Sequence, residues 1–252
     1  MIERTDVGPV AVLTLANGPV NVLDTAFLRE ITETFGELAD DPARAVVLTG
    51  AGRAFSAGVD LRSYLDGGPE YTAEFLPALS KALLAVFTVA RPVVAAVNGH
   101  AIAGGAVLAL AADYRLMTAS DAARIGTPEL AVGVAFPRAA LEIVVHAVGD
   151  RAAARLVFGA DTLPPDQARE LGLVDELVGP GELLDAAVAR AERLGTAAPA
   201  DTYAATKAQL RRASVERIAA FRAEEDARTL DIWNRRSRDG WTEAYLRKVT
   251  RK

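Results

Sequence analysis

A mixed α/β fold closed by an all-helical C-terminal third is what this sequence predicts, on three observations. Short β-rich or wholly apolar runs recur through its first half. Each is followed by residues with helical periodicity, and beyond Pro137 the apolar positions fall almost entirely at helical spacing.

Val10–Leu15 reads Val-Ala-Val-Leu-Thr-Leu and is stopped by the turn residues Asn17-Gly18-Pro19, so it predicts a strand. Asp24 stands before a stripe of Phe27, Leu28, Ile31, Phe35 and Leu38, which predicts a helix with Asp24 as its N-cap. Residues 45–49 form a short apolar strand that meets a small-residue loop over 50–58. Residues 71–89 carry Phe75, Leu79, Leu83, Val86 and Phe87 at helical spacing, and Pro92 closes that helix. Val93–Val97 is apolar throughout, as a strand covered on both faces must be. The loop Asn98-Gly99-His100 leads to a helix over about 103–112, then a strand over 114–117 and a loop at Thr127-Pro128-Glu129. Helices follow over 141–148, 151–158, 166–171 and 182–194, with a short extended return at 173–177. From about Pro199 the chain is charged and helical, with Ile218, Phe221, Leu230, Trp233, Tyr245 and Leu246 among many Arg and Glu residues. Such a tail suits a solvated face or an oligomer contact.

A chain of 252 residues, 51% hydrophobic, buries a substantial core. Its net charge of −5 gives no basic footprint for nucleic acid. Without cysteine there is no disulfide, thiolate metal site or thiol nucleophile, and two histidines, His100 and His146, make a multi-histidine metal site improbable. The first residues lack the charged-then-apolar pattern of a signal peptide. The most apolar stretch, 92–112, is interrupted by Asn98, Gly99, His100 and Gly104-Gly105, which fits strand, loop and helix better than a membrane span. The expectation is a cytoplasmic globular protein.

Three constellations bear on chemistry. Gly50-Ala51-Gly52 after a strand suggests a dinucleotide fingerprint, but Phe55 stands where its third glycine belongs and no helical pattern follows directly. Ala54-Phe55-Ser56-Ala57-Gly58 resembles a nucleophile elbow, with Asp113 and His146 in the required order; His146, however, sits on a helical pattern and no helix follows the serine. The third joins separated segments: residues 53–61, residues 98–105 and Thr127-Pro128-Glu129 each follow a strand. Small residues at 57–58 and 103–105 let a ligand approach the backbone closely, and a helix opening near Gly104 aims free N–H groups at an anion. For Gly104-Gly105 alone, tight helix packing explains the pattern equally well.

The Ala-Phe-Ser-Ala-Gly-Val-Asp-Leu, Asn-Gly-His-Ala-Ile-Ala-Gly-Gly and Pro-Glu segments, in this order, resemble the crotonase (enoyl-CoA hydratase/isomerase) superfamily. Residues 18–23 and 168–178 also fit its pattern, so the resemblance covers nearly the whole chain. It implies a fold of repeated ββα units with a C-terminal helical region, divided as a core with an acyl-CoA site over 1–198 and a helical oligomerisation region over 199–252. It implies a trimer or a pair of trimers. It further implies an oxyanion hole from the N–H groups of Ala57 and Gly104, Glu129 as the acid–base residue, and the CoA moiety held along Arg53, Phe55, Ala57, Asp60 and Leu61. The CoA thioester is then the substrate, with no separate cofactor and no metal.

One departure matters. Enoyl-CoA hydratases carry a second glutamate in the helix after the glycines, and that position is Val107 here. Moving a double bond from C3 to C2 needs one base, so the sequence favours an isomerase. Hydration with an unusual second acid comes next, drawn from Asp60, Asp66, Glu70 or Glu74. Decarboxylation or thioester hydrolysis follows, and last a binder of acyl-CoA without turnover. His100 and Tyr64 are within reach of an acyl pocket by position, though each also suits a structural place.

Overall fold

The structure is a computed structural model describing residues 1–39, 41 and 43–250, so the last two positions of the expected 199–252 region lie outside it. β1 (Ile2–Val7) and β2 (Val10–Leu15) form an antiparallel hairpin, turning at Gly8-Pro9. β3 (Val22–Leu23) precedes α1 (Thr25–Glu37), whose N-cap is Asp24: its Oδ1 accepts from the N–H of Phe27 at 2.8 Å.

Three ββα units then repeat. β4 (Ala45–Gly50), β5 (Ala54–Ser56) and β6 (Gly58–Val59) lead into α2 (Leu61–Thr88), which is broken at Gly68 with φ 55°. β7 (Val93–Val97) and β8 (His100–Ile102) lead into α3 (Gly104–Leu110), and β9 (Tyr114–Thr118) and β10 (Ile125–Gly126) into α4 (Glu129–Val132). The remainder is α5 (Arg138–Val148), α6 (Asp150–Gly159), β11 (Thr162–Leu163), α7 (Pro165–Glu170), β12 (Glu176–Val178), α8 (Leu183–Thr196), α9 (Ala200–Arg236) and α10 (Trp241–Thr250). The first strand of each unit joins a large sheet of order β1-β2-β4-β7-β9-β12, and the second a smaller sheet of order β11-β10-β8-β5. This is the ββα architecture with a helical C-terminal region that the sequence led us to expect. No helix among the described residues is long and apolar enough to cross a membrane.

The large sheet is parallel except for β1 and is covered on both faces, which explains its unbroken apolar strands. Val46 and Leu48 face the main core with α1, α2 and α3, whereas the alternate Ala45 and Val47 pack under Leu183, Ala187 and Ala191 of α8.

The C-terminal helix α9 docks on its own chain. Trp233 and Ile218 are buried, Thr229 Oγ1 donates to Phe136 O at 3.1 Å, and the Arg138 N–H donates to Asp226 Oδ1 at 2.8 Å. Leu210 and Phe221 remain exposed. Near its start, Lys207 Nζ and Arg211 Nη2 each reach one oxygen of Asp113 at 2.7 Å, and Asp113 Oδ2 also accepts from the Val93 N–H at 2.8 Å. One carboxylate thus fastens two buried cations to the starts of the inner strands β7 and β9. Removing one member of a buried ion pair strands the other charge, so Asp113→Ala should destabilise the fold by about 3–5 kcal/mol. Urea unfolding of the variant with a midpoint near wild type would contradict this.

Candidate active site

The smaller sheet brings the three motif segments together. β5, β8 and β10 run parallel side by side, pairing Ser56 with Ala101 and Gly126 with Ile102. Gly58-Val59, Gly104 and Glu129 lie just past the carboxyl ends of these strands, where parallel α/β sheets form their ligand crevices. The Ala103 N–H donates to Gly126 O at 2.8 Å, so the start of α3 is tied to the segment that delivers Glu129.

The two adjacent glycines of α3 sit in different surroundings. A side chain on Gly105 would put its Cβ 2.4 Å from Ser56 O, so Gly105 serves the close packing of α3 on β5. Gly104 faces an apolar wall of Leu23, Leu79 and Val59, and its N–H, in the first turn of α3, has no acceptor among the described residues. Gly58 has φ 79°, and a Cβ there would lie 2.4 Å from Ile102 O and 3.3 Å from Gly104 N. No other residue allows these two backbones to meet so closely.

The expectation for Ala57 needs correcting. Its N–H is already engaged, donating to Val20 O at 2.9 Å. The reason lies in Asn21, buried with φ 53°, which binds the preceding loop to residues 17–24. Its Nδ2 donates to Ala51 O at 3.0 Å and Ala54 O at 2.8 Å, and its own carbonyl accepts from Ser56 Oγ at 2.7 Å. Two residues on, the strand offers an alternative. The Asp60 N–H donates to Leu23 O at 3.1 Å, and successive N–H groups of a strand point to opposite sides. The N–H of Val59 therefore points away from β3. The sequence reading missed both Val59 and Asn21, although Gly18-Pro19-Val20-Asn21 lay within a matching segment.

Glu129 is the first residue of α4 and is only 8% exposed. Its Oε2 is fully enclosed with no hydrogen-bond partner, and burial pushes its pKa up to about 8, against a smaller opposing effect of its own N–H. The one other buried acid among the described residues, Glu142, is held by Arg138 and Arg217. Glu129 is thus the buried carboxylate that no cation neutralises. Val107, fully buried on α3, offers no second acid. Asp60 caps α2, accepting from the N–H groups of Arg62 and Ser63; Glu74 pairs with Arg29 at the surface; Asp66 and Glu70 are exposed.

Other candidates fall elsewhere. Arg53 is exposed at the start of β5 and Leu61 is half-buried, but the Phe55 side chain is wholly inside the core and can meet a ligand only through its backbone. Burial, with Arg124 and Arg53 nearby, lowers the pKa of His100, which opens β8 at the end away from Gly104. Tyr64 is structural: its hydroxyl donates to Trp233 O at 2.5 Å. The elbow reading also fails, because Ser56 Oγ bonds to Asn21 while His146 Nδ1 meets Ser214 Oγ at 3.2 Å.

The family model for enoyl-CoA hydratase/isomerase matches residues 6–249. A Thermus thermophilus protein carrying an enoyl-CoA hydratase name is 40% identical over 78% of this chain and 78% of its own length. The mitochondrial enoyl-CoA delta isomerase 1 of Rattus norvegicus is 29% identical over 100% of this chain and 88% of its own. Among solved structures, human mitochondrial delta3-delta2-enoyl-CoA isomerase superposes with a TM-score of 0.89 at 29% identity, covering 99% of this chain and 98% of that one.

Proposed function

The chain belongs to the enoyl-CoA hydratase/isomerase family, and from that premise we propose that it shifts the double bond of an enoyl-CoA from Δ3 to Δ2, with Glu129 as its single acid–base residue. The observation that carries this reading is the buried, cation-free carboxylate of Glu129, together with the apolar Val107 at the position of the second acid.

In this scheme the thioester oxygen lies against the N–H groups of Gly104 and Val59. A proton on C2 of a thioester is weakly acidic, so its removal requires that the enolate oxygen be stabilised at the same moment. Glu129 takes the proton from C2, the electrons spread over a dienolate, and the same carboxyl group returns the proton at C4. No bond to water forms, so no second carboxylate is needed. Arg53 and Leu61, at the ends of the loop carrying Val59, flank the path for the CoA moiety, which is part of the substrate.

Hydration remains the second reading because of the similarity to the Thermus thermophilus protein. The test is purified protein supplied with 3-enoyl-CoA and 2-enoyl-CoA in parallel. Isomerisation of the first, with little water addition to the second, is expected. Hydration of crotonyl-CoA faster than isomerisation of any 3-enoyl-CoA would overturn the single-base reading.

A further inference from the structure

If Glu129 moves a proton between C2 and C4, every carbon past C4 must continue beyond its carboxylate. What lies there decides which acyl chains fit. The α4 helix that carries Glu129 is covered by α10: Trp241 Nε1 donates to Ala131 O and Thr242 Oγ1 to Val132 O, both at 3.1 Å. Tyr245 is three residues past Thr242 and so shares its face of the helix. It is half-buried against the main core, on the helix that covers the turn of α4 immediately after Glu129.

The neighbouring space is already full. Tyr64 and Phe75 of α2 and Trp233 of α9 are buried and packed ring to ring, with centroids 5.0 Å apart for Tyr64–Trp233 and 6.0 Å for Phe75–Trp233. Trp233 is further fixed by its Nε1 donating to Ala135 O at 2.8 Å. None of these can yield without opening the core. Tyr245 differs: it is only half-buried, on a short helix joined to α9 through Gly240, which has φ 82°.

We propose that Tyr245 is the specificity-determining residue of this site, its ring forming the stop that limits the acyl chain to short thioesters. The proposal rests on the reading of Glu129 above, and it assigns Tyr245 a steric role without part in proton transfer.

The test uses saturated thioesters, which bind without reacting. Dissociation constants of butanoyl-CoA and dodecanoyl-CoA are measured for wild type, Tyr245→Ala and Tyr245→Phe. Tyr245→Ala should bind dodecanoyl-CoA at least about 10-fold tighter than wild type, since each newly buried methylene adds to affinity. Butanoyl-CoA should change by less than about 2-fold, being too short to reach the ring. Tyr245→Phe keeps the ring and should keep the wild-type ratio. An unchanged ratio in Tyr245→Ala, or a Tyr245→Phe that behaves like it, would overturn the steric stop. Failure of every form to bind any CoA thioester would instead remove the underlying reading of the site.

Discussion

Glu129→Gln is expected to lower kcat for 3-enoyl-CoA isomerisation by at least about 10²-fold, because a positioned acid–base group contributes about 10²–10⁴-fold and the amide has no basic oxygen pair. Binding of the thioester should survive, since the backbone donors and the CoA path are untouched. The wild-type pH profile carries the same signature. With its pKa pushed up to about 8, Glu129 is mostly protonated at neutral pH, so kcat should rise as pH increases through about 8 and then level off. Stability should move the other way. The folded state holds this proton more tightly than the unfolded chain, so folding stability is fully present below the ordinary carboxylate pKa. It is lost progressively as pH rises toward about 8. Glu129→Gln removes that titration and should raise the melting temperature at neutral and alkaline pH. A variant that retains wild-type kcat, or a profile flat between mildly acidic and alkaline pH, would exclude Glu129 as the base.

A comparable loss is expected from a residue with no functional group. In Gly58→Ala the new methyl would sit 2.4 Å from Ile102 O, at a backbone φ of 79° that side chains rarely adopt. β6 must retreat from the start of α3, separating the N–H groups of Val59 and Gly104 that the proposed mechanism brings to one oxygen. Losing one such donor costs about 10²–10³-fold in kcat. The comparison variant is Gly52→Ala, with φ 69° but its nearest neighbour, Pro19 O, 4.0 Å away: it carries the backbone strain without the collision. Near-normal turnover in folded Gly58→Ala would show that the two donors do not act together.

The order of elements was legible because parallel strands buried on both faces leave unbroken apolar runs such as Val93–Val97, and because amphipathic helices repeat their apolar positions. Other elements were not. β1 is exposed at every residue but Ile2, so no apolar alternation marks it, and it is a strand only because β2 offers an edge. β5, β6 and β10 have two or three residues each, too few to show a period; β5 fell inside the loop read over 50–58, and β10 was not singled out at all. Ahead of the helix predicted from residue 71 lies a further helical stretch from Leu61, set off from it by the non-helical backbone of Gly68. Around the candidate site, the motifs carrying Gly104 and Glu129 were legible as motifs, and the small sheet brings them to the same strand ends. Ala57 was misread because which N–H of an extended loop is free depends on a partner strand more than thirty residues earlier, visible only once β3 and β6 are paired. Tyr245 looked like one apolar position among several in a charged tail, since nothing local reveals that α10 folds over α4.

The hydrogen bonds around Asn21 also decide how this site can breathe. One side chain and two carbonyls, those of Val20 and Asn21, hold residues 51–57 at five separate atoms. The loop therefore cannot loosen by itself: lifting it breaks the contacts of β3, and freeing β3 releases the loop. Local unfolding here is a joint event of two distant stretches of chain, with a free energy set by the whole knot and not by its weakest bond. In the segment that reads from the sequence as the most pliable, rich in Gly, Ala and Ser, the amide proton of Ala57 should therefore exchange with water only when both stretches open together.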